Sequence, residues 1–74
     1  MTKRFPVKAH ITGNVWKITV QVGSVVSEGD TVVIMESMKM EMPVESEVSG
    51  TIVEIVAKEG SSAKEGDILL YIQE

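Results

Sequence analysis

The chain has 74 residues, which is enough for one domain. Seven basic and eleven acidic residues give a formal net charge of −4 and a pI near 4.9, so we expect neither a nucleic acid nor an anionic membrane as partner, because both favour a basic face. The sequence contains no cysteine, which excludes disulfides, iron–sulfur clusters, thiolate zinc sites and thiol catalysis.

β-branched residues dominate the composition. Twelve Val, seven Ile and five Thr make up 24 of the 74 residues, whereas Leu occurs twice. Such side chains are stiff at χ1 and fit a pleated surface better than a helix. No segment shows a 3.6-residue period long enough for a helix. The composition therefore predicts an all-β domain.

The first half of the chain predicts two strands and two turns. Residues 15–22 alternate in the way that is typical of a half-buried strand, and Val32–Met35 is an apolar run that predicts a strand buried on most of its surface. Gly23-Ser24 and Glu28-Gly29-Asp30 predict turns, because glycine reaches positive φ without steric cost.

The second half repeats these signals 37 residues later. Residues 52–59 alternate, residues 68–72 are apolar, and the Gly-Ser and Glu-Gly-Asp turns recur without a gap between Gly13 and Gln73. We therefore predict one domain over residues 1–74, with halves of about 13–36 and 50–73 related by approximate twofold symmetry. Short strands and glycine turns favour a sandwich or a flattened barrel, in which closure of the sheet would remove exposed edges.

The segment that joins the halves, Glu36–Pro43, carries the candidate site. Met38-Lys39 is predicted to be a two-residue hairpin tip that projects Lys39 into solvent, although it lacks the Gly, Asn or Asp that such turns prefer. Three interpretations compete. Lys39 is a solvated loop residue, or it is displayed for covalent modification beside adaptable methionines, or the methionines bind a soft metal such as Cu(I).

The metal interpretation is the weakest of the three. It requires four thioether ligands, namely Met35, Met38, Met40 and Met42. Met35 belongs to the buried apolar run, and no His or Cys stands nearby. We therefore expect no metal.

The sequence Glu36-Ser37-Met38-Lys39-Met40 closely resembles the Glu-Ala-Met-Lys-Met signature of the biotinyl domains of biotin-dependent carboxylases. The resemblance runs from about Ala9 to Ile72 and includes Gly13, Gly29-Asp30, Ser49-Gly50 and Gly66-Asp67. It implies a flattened barrel or sandwich of two four-stranded antiparallel sheets, with the modified lysine at a hairpin tip.

Two positions depart from the family pattern. Ser37 replaces the usual Ala, which is a change toward lipoyl domains, and His10 stands where Pro is frequent. With no partner in the sequence, His10 is expected to be structural or solvated.

The resemblance implies a non-catalytic carrier. A biotin protein ligase would attach biotin to Lys39, with Glu36, Met38, Met40 and Glu41 recognised by the ligase; the alternative for the two glutamates is a solvated strand flank. The biotin would carry carboxyl groups between a biotin carboxylase and a carboxyltransferase. We expect a cytoplasmic protein, since no signal peptide or membrane span is evident. The resemblance implies a monomer. The chain is expected to be either a complete protein or the carrier domain of a longer carboxylase.

Two alternatives remain open at this stage. Lys39 would carry lipoate instead, or the domain is unmodified and binds a partner through its Met-rich hairpin. Lipoyl domains usually have Asp before the lysine and Ala after it, so Met38 and Met40 favour biotin.

Overall fold

The computed structural model describes residues 4–74, in which eight strands form two four-stranded antiparallel sheets. The strands are β1 (Arg4–Lys8), β2 (Gly13–Ile18), β3 (Val25–Val26), β4 (Thr31–Ser37), β5 (Met40–Glu45), β6 (Gly50–Ile55), β7 (Ser62–Ala63) and β8 (Ile68–Gln73). One sheet has the order β1-β8-β6-β3 and the other has the order β5-β4-β2-β7. The all-β prediction is confirmed, and residues 4–74 contain no helix that could cross a membrane.

A twofold relationship exchanges the two sheets. Adding 37 to the residue numbers converts β1 to β5, β2 to β6, β3 to β7 and β4 to β8, and so converts one strand order into the other. The register shifts are also related by 37 residues, because the bulge between Val15 and Lys17 recurs between Ile52 and Glu54. The correspondence extends outside the predicted halves and includes β1 and β5, where Pro6-Val7 matches Pro43-Val44.

The core obeys the same twofold relationship. Fourteen described residues are buried, and all of them fall into seven pairs separated by 37 positions. The pairs are Val7 and Val44, Ala9 and Ser46, Val15 and Ile52, Val26 and Ala63, Val32 and Leu69, Val33 and Leu70, and Met35 and Ile72. The buried hydroxyl of Ser46 donates to the carbonyl of Val48, so its polar group is satisfied.

The strands predicted over residues 15–22 and 52–59 are shorter in the structure. β2 ends at Ile18 and β6 ends at Ile55. The bulge after Val15 places an extra residue in β2 and interrupts the alternation. As a result Val15 is fully buried, whereas its neighbour Trp16 is 47% exposed. The predicted turns are confirmed, with Gly23, Gly29, Gly60 and Gly66 all at positive φ.

The two sheets form a sandwich and do not close into a barrel, so the predicted removal of edges is wrong. Four edge strands remain, and they are protected in two ways. β3 and β7 have two residues each, which leaves little edge for another chain to pair with. β1 and β5 contain Pro6 and Pro43, which have no N–H to offer to a further strand.

Candidate functional site

The hairpin formed by β4 and β5 carries the candidate lysine. Ser37 pairs with Met40, so Met38 and Lys39 alone form the turn, as predicted. β4 is a central strand that pairs with β2 on its other side. Its inward residues Val33 and Met35 are fully buried and hold the base of the hairpin in register. The turn therefore stands on a rigid base.

The turn has an unusual backbone. The φ angles of Met38 and Lys39 are 53° and 64°, and these are the only residues other than glycine with positive φ in the part of the chain that the structure describes. Positive φ at both central positions is the pattern of a type I′ turn, which favours Asn and Gly. For other residues this conformation costs about 1–2 kcal/mol each. The turn therefore contains Met38 and Lys39 although its backbone conformation disfavours both residue types.

The tip side chains are open to solvent. Lys39 is exposed, Met38 is 91% exposed and Met40 is 59% exposed, whereas Met35 is fully buried. Met42 lies opposite Met35 on the inward face of the hairpin. The four methionines thus range from fully buried to almost fully open, which argues against a shared metal site. The one ion pair within residues 4–74 joins Arg4 to Glu54, at the other sheet.

Two glutamates face each other below the tip. Glu36 and Glu41 are directly paired across the hairpin. Since Met35 points inward, both carboxylates lie on the outward face of the sheet. Like charges that are directly opposite destabilise an antiparallel pair. The twofold-equivalent positions hold Gln73 and Arg4, so the sandwich itself does not require acidic residues here.

Gly13 lets β2 approach the base of the hairpin closely. A Cβ at this position would lie 2.5 Å from the carbonyl oxygen of Glu36 and 3.2 Å from the Cβ of Ser37. The next residue, Asn14, is paired with Glu36. The absence of a side chain at Gly13 therefore fixes how the hairpin sits against its neighbour strand. Sequence patterns mark Gly13 as a repeated glycine but do not show this contact.

The structure brings the predicted site residues together at one end of the hairpin. Lys39 is at the tip, Met38 and Met40 flank it, and Glu36 and Glu41 form the row below Ser37 and Met40. His10, for which no chemistry was expected, is exposed and lies outside the hairpin tip, in a groove that Glu47 also lines.

A twofold sandwich with a lysine at the tip of one hairpin is the arrangement that the resemblance to biotinyl domains implies. The chain belongs to the family described as "Biotin-requiring enzyme", whose sequence profile matches residues 6–72. This confirms the resemblance seen in the sequence.

Two curated relatives match half of the chain. It is 44% identical over 36 residues to the biotin/lipoyl attachment protein of Bacillus subtilis (strain 168), a match that covers 49% of each protein. It is 47% identical over 36 residues to the biotinylated protein TB7.3 homolog of Mycolicibacterium smegmatis, covering 49% of this chain and 51% of the relative. The chain thus matches about half the length of these curated relatives.

Solved structures of large carboxylases contain the same fold. The crystal structure of Kluyveromyces lactis urea carboxylase matches 95% of this chain with a TM-score of 0.89 and 36% identity, and the match covers 6% of that protein. A single-chain, multi-domain long-chain acyl-CoA carboxylase matches 96% of this chain with a TM-score of 0.90, covering 7% of its own length. At 22% identity, the second likeness shows the shared fold alone.

Proposed function

We propose that this protein is a non-catalytic biotin carrier and that Lys39 is its attachment site. One observation supports Lys39 above all. The turn holds it in a strained backbone conformation at the exposed end of a rigid hairpin, between two exposed methionines. Strain that a sequence could relieve with Asn or Gly is often retained for function. Membership of the biotin-requiring family supports the same site.

Attachment forms one amide bond. The Nζ of Lys39 attacks the acyl carbon of activated biotin, AMP leaves, and the lysine loses a proton. Only the neutral amine of a lysine is a nucleophile. We therefore assign deprotonation and alignment to a biotin protein ligase, while the hairpin contributes an unobstructed approach to Nζ.

Four neighbours of Lys39 are proposed to contact that ligase. Met38 and Met40 offer flexible apolar side chains that adapt to a partner surface. Glu36 and Glu41 provide paired negative charge on one face of the hairpin, at a cost in stability that the twofold-equivalent pair avoids. This comparison with the other sheet favours a recognition role over a solvated strand flank.

The domain would then serve a biotin carboxylase and a carboxyltransferase as partners. The attached biotin would carry a carboxyl group from the first enzyme to the second. The protein contributes a rigid base and a tether, which raise the effective concentration of biotin at both active sites. The shared fold with parts of two carboxylases supports this assignment. The short or proline-containing edge strands support a monomer.

Mass spectrometry tests the attachment site directly. The protein, its Lys39→Arg variant and a Lys64→Arg control are incubated with biotin, ATP and a biotin protein ligase. Lys64 is also exposed but directly precedes the second Glu-Gly-Asp turn, so it matches Lys39 in accessibility alone. We expect one biotin on the wild-type protein and on the control, and none on Lys39→Arg.

Other results would indicate a different attachment residue, a different attached group or an unmodified domain. A biotin that remains on Lys39→Arg would place the site on another residue. If the wild-type protein takes no biotin, a lipoyl ligase with lipoate is the next assay, because the Bacillus relative is called a biotin/lipoyl attachment protein. A protein that accepts neither group would favour an unmodified domain that binds a partner through the hairpin.

Met38→Asn is expected to separate stability from recognition. Asn tolerates positive φ, so the variant should gain about 1 kcal/mol in the free energy of unfolding. It should also be biotinylated more slowly, because it loses an exposed apolar contact. Urea denaturation and initial rates of biotin attachment measure the two effects.

Met40→Asn is the matched control for this experiment. Met40 lies in β5 and has no positive φ, so the substitution removes a methionine without relieving the turn. We expect slower attachment and no gain in stability. Equal stability changes in the two variants would contradict the strain assigned to Met38.

A further inference from the structure

We propose that Met38 and Met40 form an oxidation-sensitive site that controls attachment at Lys39. A hydroperoxide converts their thioethers to sulfoxides, and the oxidised hairpin is a poor substrate for the enzyme that modifies Lys39. This inference rests on the proposed function, because its second readout is biotin attachment. Its first readout, the order in which the methionines oxidise, does not depend on that function.

The structure separates the methionines by access. Met38 and Met40 are 91% and 59% exposed, whereas Met35 is fully buried between the sheets. Met42 lies on the inward face opposite Met35 and is partly covered. Among the methionines of residues 4–74, a peroxide in solution therefore reaches the two tip sulfurs first. Because the core methionine is protected, oxidation of the tip leaves the sandwich folded.

The two sulfurs lie where any modifying enzyme must make contact. Met38 shares the two-residue turn with Lys39, and Met40 is the next residue. An enzyme that brings an acyl group to the Nζ of Lys39 has to surround the turn, so it covers both neighbours. Their side chains are apolar and flexible, which suits an apolar contact surface.

Oxidation makes the two apolar side chains at that contact polar. The O–O bond of the peroxide breaks, one oxygen forms a new bond to sulfur, and the remaining oxygen leaves as water, or as an alcohol from an organic hydroperoxide. The sulfur loses two electrons and the peroxide gains them, while the amine of Lys39 is unchanged. The product is polar and chiral, and burying it without a hydrogen bond is unfavourable. Methionine sulfoxide reductases reverse the change.

The test begins with hydrogen peroxide and the unmodified protein. Peptide mapping by mass spectrometry measures oxidation at each methionine, and far-UV circular dichroism monitors the fold. We expect Met38 and Met40 to oxidise before Met42, and Met35 to oxidise last. Oxidation of Met35 at the same rate as Met38 in the folded protein would overturn the proposal.

The second stage measures attachment. Catalase removes the peroxide, and the ligase, biotin and ATP are then added. We expect the initial rate to fall about tenfold or more in the oxidised protein and to recover after treatment with methionine sulfoxide reductases. An unchanged rate with both tip sulfurs oxidised would overturn the proposal.

The variant Met38→Leu/Met40→Leu identifies the sulfurs responsible. Leucine keeps an apolar side chain but cannot form a sulfoxide. Each protein is compared with its own untreated sample, so a lower starting rate in the variant does not matter. We expect the ratio of treated to untreated rate to stay near one in the variant, and a peroxide-dependent loss there would overturn the proposal. Untreated wild-type protein that accepts no biotin would instead refute the proposed function, and with it the control of attachment, before any peroxide is used.

Discussion

Gly13→Ala is expected to destabilise the domain and to slow biotin attachment. The new Cβ would lie 2.5 Å from the carbonyl oxygen of Glu36, which is backbone and cannot move aside without shifting β4. Overpacking of this kind costs about 1–3 kcal/mol, and the displaced strand leads directly into the turn with Lys39. Urea denaturation gives the loss of stability, and initial rates at a temperature where the variant is folded give the effect on attachment.

Gly50→Ala is the matched control, because Gly50 is the twofold equivalent of Gly13. Its Cβ would meet the carbonyl oxygen of Gln73 and lie 2.8 Å from the Cγ2 of Ile72, so the steric conflict is similar. Gly50 contacts the end of β8 instead of the hairpin. We expect a comparable loss of stability with a normal attachment rate for the folded fraction. Equal slowing by both variants would show that the position of the hairpin base is unimportant.

Met35→Ala is expected to have the largest effect on stability. Met35 is fully buried, and truncating a large core side chain costs about 2–5 kcal/mol. A domain of this size buries only about 60% of the surface of its unfolded chain, so it has little stability to lose. Thermal unfolding should shift down by about 4–8 °C for each kcal/mol lost.

The twofold relationship again provides the comparison. Ile72 occupies the equivalent buried position, and Ile72→Ala should cost a similar amount. Met42→Ala, at the partly covered partner of Met35, should cost clearly less. A Met35→Ala variant as stable as the Met42→Ala variant would contradict the packing described for the hairpin base.

Apolar runs and turn residues predict much of this fold. The runs at 32–35 and 68–72 lie in β4 and β8, because buried central strands need continuous apolar sequence. The repeated Gly-Ser and Glu-Gly-Asp sequences predict turns because their glycines have positive φ. The hairpin tip is predictable as the short connection that follows the apolar run and joins the two halves.

Bulges and register are harder to obtain from sequence. Trp16 fits an alternating pattern, but the extra residue in β2 leaves it half-exposed while Val15 is buried, and a bulge has no clear signal in side-chain polarity. The positive φ angles of Met38 and Lys39 are not predictable from sequence either, because neither residue type favours that conformation. The opposition of Glu36 and Glu41 becomes visible only when the turn length is known.

The match between β1 and β5 is obscured by charge. Proline and valine align in the two strands, but the charged positions have opposite signs: Arg4 with Glu41 and Lys8 with Glu45. A comparison that depends on similar residues therefore begins at Gly13 and misses this part of the repeat. The buried positions Val7 and Val44 show that the inward face stayed the same while the outward face diverged.

The 37-residue repeat gives the two sheets the same order of strands. In one sheet, the Met38-Lys39 turn joins β4 to β5. Arg4 and Gln73 are paired in the same way as the two glutamates below that turn. β1 and β8 therefore repeat the base of the hairpin in the other sheet, which gives every substitution in that base an equivalent position in the same molecule.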